Sequence, residues 1–282
     1  MDVSFGLNIH VIQYYKPNTG VLYLLNMKVS FLGTGTSQGV PIIACSCDVC
    51  KSNDPRDKRL RSSVLIEVDG FQIVIDTGPD FRQQMLREVV EKLDAVIFTH
   101  EHKDHIAGFD DIRGFNWRDK KPMEVYGNLQ VEKALKRDFH YAFGENKYPG
   151  VPNLKLHTIE NKPFRVGPLE IIPIEVMHYK MPVFGFRIGD FTYITDANYI
   201  NDLEKEKIKG SRVLVLNALK KSEHISHFSL NQAIELATEL NVEKTYFTHI
   251  SHQMGFHSEI SKDLPSGVEL AYDELQIFID AK

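Results

Sequence analysis

Phe98-Thr99-His100-Glu101-His102-Lys103-Asp104-His105 follows directly on the apolar run Ala95-Val96-Ile97. A buried strand that leads into three imidazoles and a carboxylate between positions 100 and 105 has little structural reason to exist, because each such group needs a polar partner once it leaves water. The plainer alternative, a polar surface loop, leaves the density of ligand-type residues unexplained. In a loop leaving a strand, His100 and His102 can point to one metal ion while Asp104 and His105 turn back to a second. Two cations need more than these four ligands, and other strand ends supply candidates. His178 follows the strand-like run Leu169 to Val176, and Asp196 ends a strand and can bridge two metals. His249 follows Thr245 to Thr248 and repeats the Thr-His junction of Thr99-His100. Each of these alone reads as an ordinary hydrogen-bonded residue. With the loop they complete a two-metal set.

Outward from this stretch, strand-like and helical runs alternate: strands at Val29 to Leu32, Val64 to Val68, Phe71 to Ile75 and Ala95 to Phe98, with a helix near Phe81 to Glu91. That alternation predicts an α/β fold. Val68-Asp69-Gly70-Phe71-Gln72-Ile73-Val74-Ile75-Asp76 is echoed by Ile188-Gly189-Asp190-Phe191-Thr192-Tyr193-Ile194-Thr195-Asp196, each a hairpin running through a strand to an aspartate. Val213 to Leu216 echoes Ala95 to Phe98 at nearly the same offset. Two such halves suggest a pseudo-duplicated sheet sandwich, although Asp/Gly turns are common hairpin chemistry and chance is the alternative. Residues 27–282 are expected to form a single domain. Arg113 to Lys162, with a helix from Leu129 to Phe139 and a Pro/Gly loop at Tyr148 to Pro152, reads as an insertion over the sheet edge. Residues 1–26 read as a peripheral segment, with Met27 the expected native start.

The bulk numbers narrow the partners. A net charge of −5 from 33 basic and 38 acidic side chains makes no global bid for nucleic acid, although Arg113, Arg118, Lys120 and Lys121 could form a local patch. No apolar run is long enough to span a bilayer, and no signal peptide is visible, so a cytoplasmic location is expected. All three cysteines lie between Cys45 and Cys50, too few for a disulfide framework. Gly33-Thr34-Gly35 lacks the features of a phosphate-binding or dinucleotide loop.

Over nearly the whole chain from Met27 onward, HxHxDH at 100–105 together with His178, Asp196 and His249 resembles the metallo-β-lactamase superfamily. The resemblance implies an αββα sandwich. It also implies one metal on His100, His102 and His178, a second on Asp104, His105 and His249, and Asp196 bridging them. Asp76 becomes an outer residue that orients a ligand. His102 stands where the redox diiron branch of the superfamily has glutamate, which implies hydrolysis. The cofactors implied are two divalent ions, zinc or manganese, since availability often decides between metals at His/Asp sites.

Cys45-Ser46-Cys47-Asp48-Val49-Cys50 offers three thiolates, one short of the four ligands that structural zinc prefers. His252, three residues after His249, is the candidate fourth; zinc there would staple this loop to the active-site loop. Free thiols or a redox motif are the alternative. The combination of CxCxxC, HxHxDH and Thr248-His249-Ile250-Ser251-His252 is similar to the phosphoribosyl cyclic phosphate phosphodiesterases of bacterial phosphonate degradation, where this pattern builds a structural zinc beside the dinuclear centre.

The expected function is a phosphodiesterase acting on a small diester, cyclic ones included, through a hydroxide bridging two metals. Asp104 belongs to the expected catalytic set, and His227 is the candidate proton donor to the leaving group. It precedes a helix in which Ser229 and Gln232 form a capping-box pattern, so helix N–H groups would face a phosphate. His227 also resembles the catalytic histidine of the phosphodiesterase branch, with His224 a weaker rival. His10, His140, His157 and His257 show no partner pattern and read as structural or surface residues. A tRNA 3′-end endonuclease, a lactam or thioester hydrolase and a non-enzymatic metal-binding scaffold are the competing readings. Nucleic acid is a less favoured partner, no membrane is expected, and a homodimer is left open.

Overall fold

A computed structural model describes residues 26–144 and 148–280. In chain order the elements are β1 (Met27–Gly33), α1 (Asp48–Lys51), β2 (Ser63–Val68), β3 (Phe71–Ile75), α2 (Phe81–Arg87), β4 (Ala95–Ile97), α3 (Lys103–Ile106), α4 (Arg113–Asp119), β5 (Met123–Gly127), α5 (Leu129–Asp138), β6 (Leu154–Thr158), β7 (Phe164–Val166), β8 (Leu169–His178), β9 (Met181–Ile188), β10 (Phe191–Ile194), α6 (Asp202–Ile208), β11 (Val213–Asn217), α7 (Leu230–Leu240), β12 (Lys244–Thr248), α8 (His257–Asp263), β13 (Val268–Leu270) and β14 (Gln276–Ile279). The strands form two sheets of seven, ordered β14-β1-β2-β3-β4-β5-β6 and β7-β8-β9-β10-β11-β12-β13. Each sheet has three antiparallel pairings followed by three parallel ones, with the change at β3 in one and β10 in the other.

The echo in the sequence is therefore structural: Val68–Asp76 and Ile188–Asp196 are the β2–β3 and β9–β10 hairpins at matching places in the two sheets. In the first, Asp69 and Gly70 both adopt positive φ, 50° and 76°, the backbone a two-residue hairpin requires.

Strand alternation distributes the core. Ile73 and Ile75 face the layer between the sheets with Phe31, Ile66, Phe186, Tyr193 and Tyr246, while Val74 points the other way into a layer with Phe81, Met85 and Leu135. On the second sheet Ile194, Leu216 and Phe247 pack outward on Ile208, Leu236 and Ile260 of α6, α7 and α8. Three apolar layers between four layers of structure make an αββα sandwich, as expected. Burying strands on both faces explains their near-continuous apolar composition.

Two local expectations change. The helix expected through Glu91 stops at Arg87: Val89 takes φ 53° and the Val90 N–H turns back to the Met85 carbonyl, a left-handed terminus that ends the helix. Residues 113–162 do not lie over the sheet edge. They build it, since β5 and β6 continue the parallel pairing from β4 and Val131, Ala134 and Leu135 of α5 pack on that sheet's outer face. The expectations for residues 1–26 lie outside the described residues apart from Asn26. Among the described residues no helix is long and apolar enough to cross a membrane.

Candidate metal centre

The site lies where β4, β8, β10 and β12 end. After β4 the backbone is held by Asp76, the residue following β3, whose Oδ1 accepts from the Thr99 N–H at 2.8 Å and whose Oδ2 accepts from Thr99 Oγ1 at 2.8 Å. His102 then caps α3, which turns His105 inward to full burial. Close backbone approach seats this helix: a Cβ on Gly78 would stand 2.1 Å from the Asp104 carbonyl oxygen, and one on Gly108 2.1 Å from that of Gly78. Glycine is the residue that fits at both points.

Seven side chains converge in two groups that share Asp196: His100, His102 and His178 on one side, Asp104, His105 and His249 on the other, with one donor atom from each within 4.8 Å of the others in its group. The carboxylate of Asp196 is divided between them. Oδ2 stands 3.7 Å from His100 Nε2, and Oδ1 lies 3.1 Å from His249 Nε2 and 3.5 Å from His105 Nε2. Asp104 Oδ2 approaches His105 Nε2 at 3.1 Å and His249 Nε2 at 3.8 Å.

Outer hydrogen bonds fix which nitrogen of each ring is free. His105 Nδ1 donates to Asp76 Oδ2 at 2.7 Å. Thr99 Oγ1 gives its hydrogen to Asp76, so at 2.9 Å it accepts from His100 Nδ1. His178 Nδ1 donates to the Ser226 carbonyl at 2.9 Å. All three rings therefore turn Nε2 inward. The Nε2 atoms of His100, His105 and His249 are buried without a hydrogen-bond partner. Buried lone pairs pointing at one another violate the rule that such groups are paired, and divalent cations resolve the violation. Charge agrees. Although burial opposes it, the carboxylates of Asp104, Asp196 and Asp76 drive the pKa of His105 well above that of free imidazole, so the pocket favours positive charge. Asp196 is likewise held well below the usual carboxylate range by His249 and His105 against the pull of burial. The residues fit two divalent ions.

Beside this centre, Cys45 Sγ and Cys47 Sγ stand 3.3 Å from His252 Nδ1, and Cys50 Sγ 3.5 Å from it. The four donor atoms form a third compact group. Cys47 caps α1, and the Cys50 N–H, foremost, brings its thiol down to about 6, whereas burial pushes Cys50 up to about 11. The group has the composition and proximity of a tetrahedral zinc site.

His227 reaches the centre from the loop after β11. Its Nε2 is 3.4 Å from Asp196 Oδ2, its ring stacks on His249 with centroids 4.8 Å apart, and burial holds its pKa down to about 4. The capping box at Ser229 and Gln232 forms as expected. It occupies the Ser229 and Gln232 N–H groups, however, so these donors are not turned toward a phosphate.

The other histidines divide. His157 bonds Glu124 on β5 and stacks on Tyr126. His140 is exposed, and His10 lies outside the described residues. His257 is buried against Arg59 Nη2 at 3.2 Å. The suspected basic patch is largely neutralised: Arg113 pairs with Asp110 at 2.9 Å, Arg118 with Glu91 at 3.6 Å and Lys121 with Asp94 at 3.6 Å. Sequence reasoning missed Thr99 and Ser226 as outer partners of ligand histidines. The repeated Thr-His junction hinted at the first, and nothing in the sequence pointed to a backbone carbonyl for the second.

A family profile described as the β-lactamase superfamily domain matches residues 72–250, well over half of the chain. The chain belongs to the metallo-β-lactamase superfamily. Its structure superposes on the crystal structure of a diphosphatase from the PhnP family with a TM-score of 0.85 at 37% identity, covering 91% of this chain and 98% of that one. A Porphyromonas gingivalis protein named octanoyltransferase is 40% identical over 259 residues, which are 91% of this chain and 52% of that protein. A Methanococcus aeolicus ribonuclease Z is 27% identical over 174 residues, 60% of this chain and 46% of that one. The chain thus spans about half the length of these two curated relatives. Membership in a superfamily of metal-dependent hydrolases agrees with the ligand geometry above.

Proposed function

We propose that this protein is a metal-dependent hydrolase of small phosphoric diesters. The observation that carries the reading is the pair of ligand groups sharing Asp196, with His227 Nε2 3.4 Å from Asp196 Oδ2. His100, His102 and His178 would hold one ion and Asp104, His105 and His249 the other, with one Asp196 oxygen toward each. Two such ions supply Lewis-acid polarisation of phosphoryl oxygens and acidify water. His227 supplies the proton to the departing oxygen. At rest its ring is neutral, and an anionic phosphate arriving beside it favours the imidazolium that a general acid needs. Cys45, Cys47, Cys50 and His252 would hold a structural zinc that fixes the loop carrying His249.

The solved PhnP-family relative is described as a diphosphatase, which supports a second substrate class, diphosphate linkages, at the same centre. The tRNA-processing alternative is less supported, since the chain carries a net charge of −5 and its arginines at 113 and 118 are engaged by carboxylates. The octanoyltransferase name belongs to a protein of which this chain matches 52%, and no acyl transfer is proposed from it. The test is hydrolysis of bis(4-nitrophenyl) phosphate and of an alkyl diphosphate by zinc- or manganese-loaded protein, with His102→Ala as control. Turnover lost in the variant supports the reading. No turnover of either substrate with both ions bound would overturn it in favour of lactam or thioester hydrolysis.

A further inference from the structure

Exposed apolar side chains that the core does not use stand next to the metal centre. Tyr179, Tyr199 and Ile225 are 47%, 57% and 66% exposed, and they lie one, three and two residues from His178, Asp196 and His227 respectively. Hydrogen bonds stitch their three loops together: the Met177 N–H donates to the Tyr199 carbonyl at 2.9 Å, the Tyr179 N–H to Asn198 Oδ1 at 2.6 Å and His178 Nδ1 to the Ser226 carbonyl at 2.9 Å. Tyr179 is the strained member. His178 and Met181 pair across the β8–β9 turn, so Tyr179 and Lys180 alone form it, and Tyr179 adopts φ 58°. In that backbone region glycine is at ease and a bulky side chain is an outlier. A tyrosine held there with its ring about half in solvent gains little packing in return, and strain of this kind gathers at functional sites. Lys180 Nζ lies 5.2 Å from the ring centroid, and no carboxylate among the described residues pairs with it.

We infer that Tyr179 is a specificity-determining residue, a platform on which an aromatic ring carried by the diester, such as a nucleobase, stacks while the phosphate lies at the metal centre. The inference rests on the reading of this centre as a hydrolase of phosphoric diesters. The chemistry of the surroundings selects this class of substituent. The seven ligand side chains and His227 are polar and mark the place of the phosphate, whereas the tyrosine ring offers a broad uncharged face. Such a face binds a flat ring better than a methyl group, because stacking covers the whole ring and every base has a π-face. Lys180, beside the ring, favours the anionic ester to which the base is attached. Tyr199 and Ile225 add apolar area on the two neighbouring loops.

The experiment uses the full-length, metal-loaded protein as wild type, Tyr179→Gly, Tyr179→Leu and Tyr179→Phe. Thymidine 5′-(4-nitrophenyl) phosphate and methyl 4-nitrophenyl phosphate share a leaving group and differ only in the group retained on phosphorus, so the ratio of their kcat/KM values reads the substituent subsite. The wild type should prefer the thymidine ester. Tyr179→Gly and Tyr179→Leu should lower the ratio by about 5- to 150-fold, the usual worth of a base stacked on an aromatic side chain, and Tyr179→Phe should keep it. A wild type without preference, or Gly and Leu variants that slow both esters alike, would overturn the inference. Calorimetric binding of thymidine 5′-monophosphate and of methyl phosphate needs no turnover and involves no nitrophenyl ring. The ratio of the two Kd values should shift by the same factor in the Gly and Leu variants, and an unshifted ratio would overturn the inference. Hydrolysis of neither ester with that shift present would remove the diester reading and leave the platform standing.

Discussion

Asp76→Asn isolates the link between an outer carboxylate and the metal site. Asp76 is fully buried at φ 67°, a backbone conformation asparagine also tolerates, so the substitution preserves shape. What changes is donor arithmetic. Oδ2 accepts from Thr99 Oγ1 and from His105 Nδ1, and Oδ1 accepts from the Thr99 N–H, with all three bonds between 2.7 and 2.8 Å. If the asparagine oxygen takes the Oδ2 position, its NH2 faces the Thr99 N–H, and a buried donor–donor contact costs about 1–3 kcal/mol. If the oxygen takes the Oδ1 position, its NH2 faces His105 Nδ1 and forces the ring hydrogen onto Nε2. The second arrangement satisfies the backbone but takes away the lone pair that His105 turns toward Asp104 and Asp196. Either way the ligand group of Asp104, His105, Asp196 and His249 should lose affinity by about ten- to a hundredfold, the usual cost of losing such a partner, which is about 1.4–2.7 kcal/mol. The other group, with His100 held through Thr99, should be affected less. Chelator competition with zinc, followed by metal analysis, reads the two affinities. Asp76→Ala, which leaves the Thr99 and His105 donors unpaired at a positive φ, should unfold at a clearly lower temperature. Two wild-type affinities in a folded Asp76→Asn protein would refute the argument that Asp76 sets the tautomer of His105.

Cys47→Ser should lose roughly one zinc per chain and lower the melting temperature while the dinuclear ions remain, seen by metal analysis beside calorimetry; unchanged zinc content would contradict the assignment of that group. His227→Ala should lower kcat for diester hydrolysis by about a hundredfold or more with both ions retained, whereas an unchanged kcat would remove it from the mechanism. His257 gives a pH prediction. Burial first, and then the Arg59 and Arg56 guanidiniums, depress its pKa from 6.5 to about 4, with Asp54 and Asp57 opposing. The folded state therefore binds fewer protons than the unfolded state in that window, and the stability this group contributes is present above pH 6.5 and lost as pH falls toward 4. His257→Asn keeps an acceptor for Arg59 and should flatten the fall of melting temperature between those two values; an unaltered slope would contradict it.

Much of the centre was legible because ligand chemistry constrains residue type. An imidazole-rich loop at the end of a buried strand has few other uses, and His178, Asp196 and His249 share with it a position just after an apolar run. Hairpins with matching Asp/Gly turns exposed the duplicated layers for the same reason: positive-φ turns and buried strands restrict sequence strongly. The course of residues 113–162 was not legible. Met123–Gly127 and Leu154–Thr158 are ordinary short strands whose register depends on neighbours distant in the chain, and mixed charge hid their place at the sheet edge. Nor could Asp273 be found. It follows β13, yet its carboxylate accepts from the Thr34 and Leu60 N–H groups 239 and 213 residues away, locking the loop after β1 against the end of the chain. No local pattern encodes a contact of that separation.

The duplicated architecture explains why the two halves contribute different chemistry from equivalent places. Asp76 and Asp196 both follow the hairpin at the turning point of their sheet, at φ 67° and 55°. Asp76 lies beneath the loop after β4 and spends both oxygens on Thr99 and His105, so it cannot face the centre. On the other side Asn217 takes over the bracing, its amide accepting from the Ala197 N–H at 2.8 Å and donating to the Ala197 carbonyl at 2.9 Å. That leaves Asp196 free to turn one oxygen to each ligand group. The loops that follow diverge in the same way. After β4 comes the dense run of His100, His102, Asp104 and His105, and after β11 come His224, Ser226 and His227. A single topology, repeated, thus brings His100, His102, Asp104 and His105 from one sheet against His178, His249 and His227 from the other, with the carboxylate of Asp196 between them. Exchanging the roles of the two aspartates is blocked by their partners: fully buried Asp76 turns both oxygens to Thr99 and His105, away from the space between the two ligand groups that Asp196 faces.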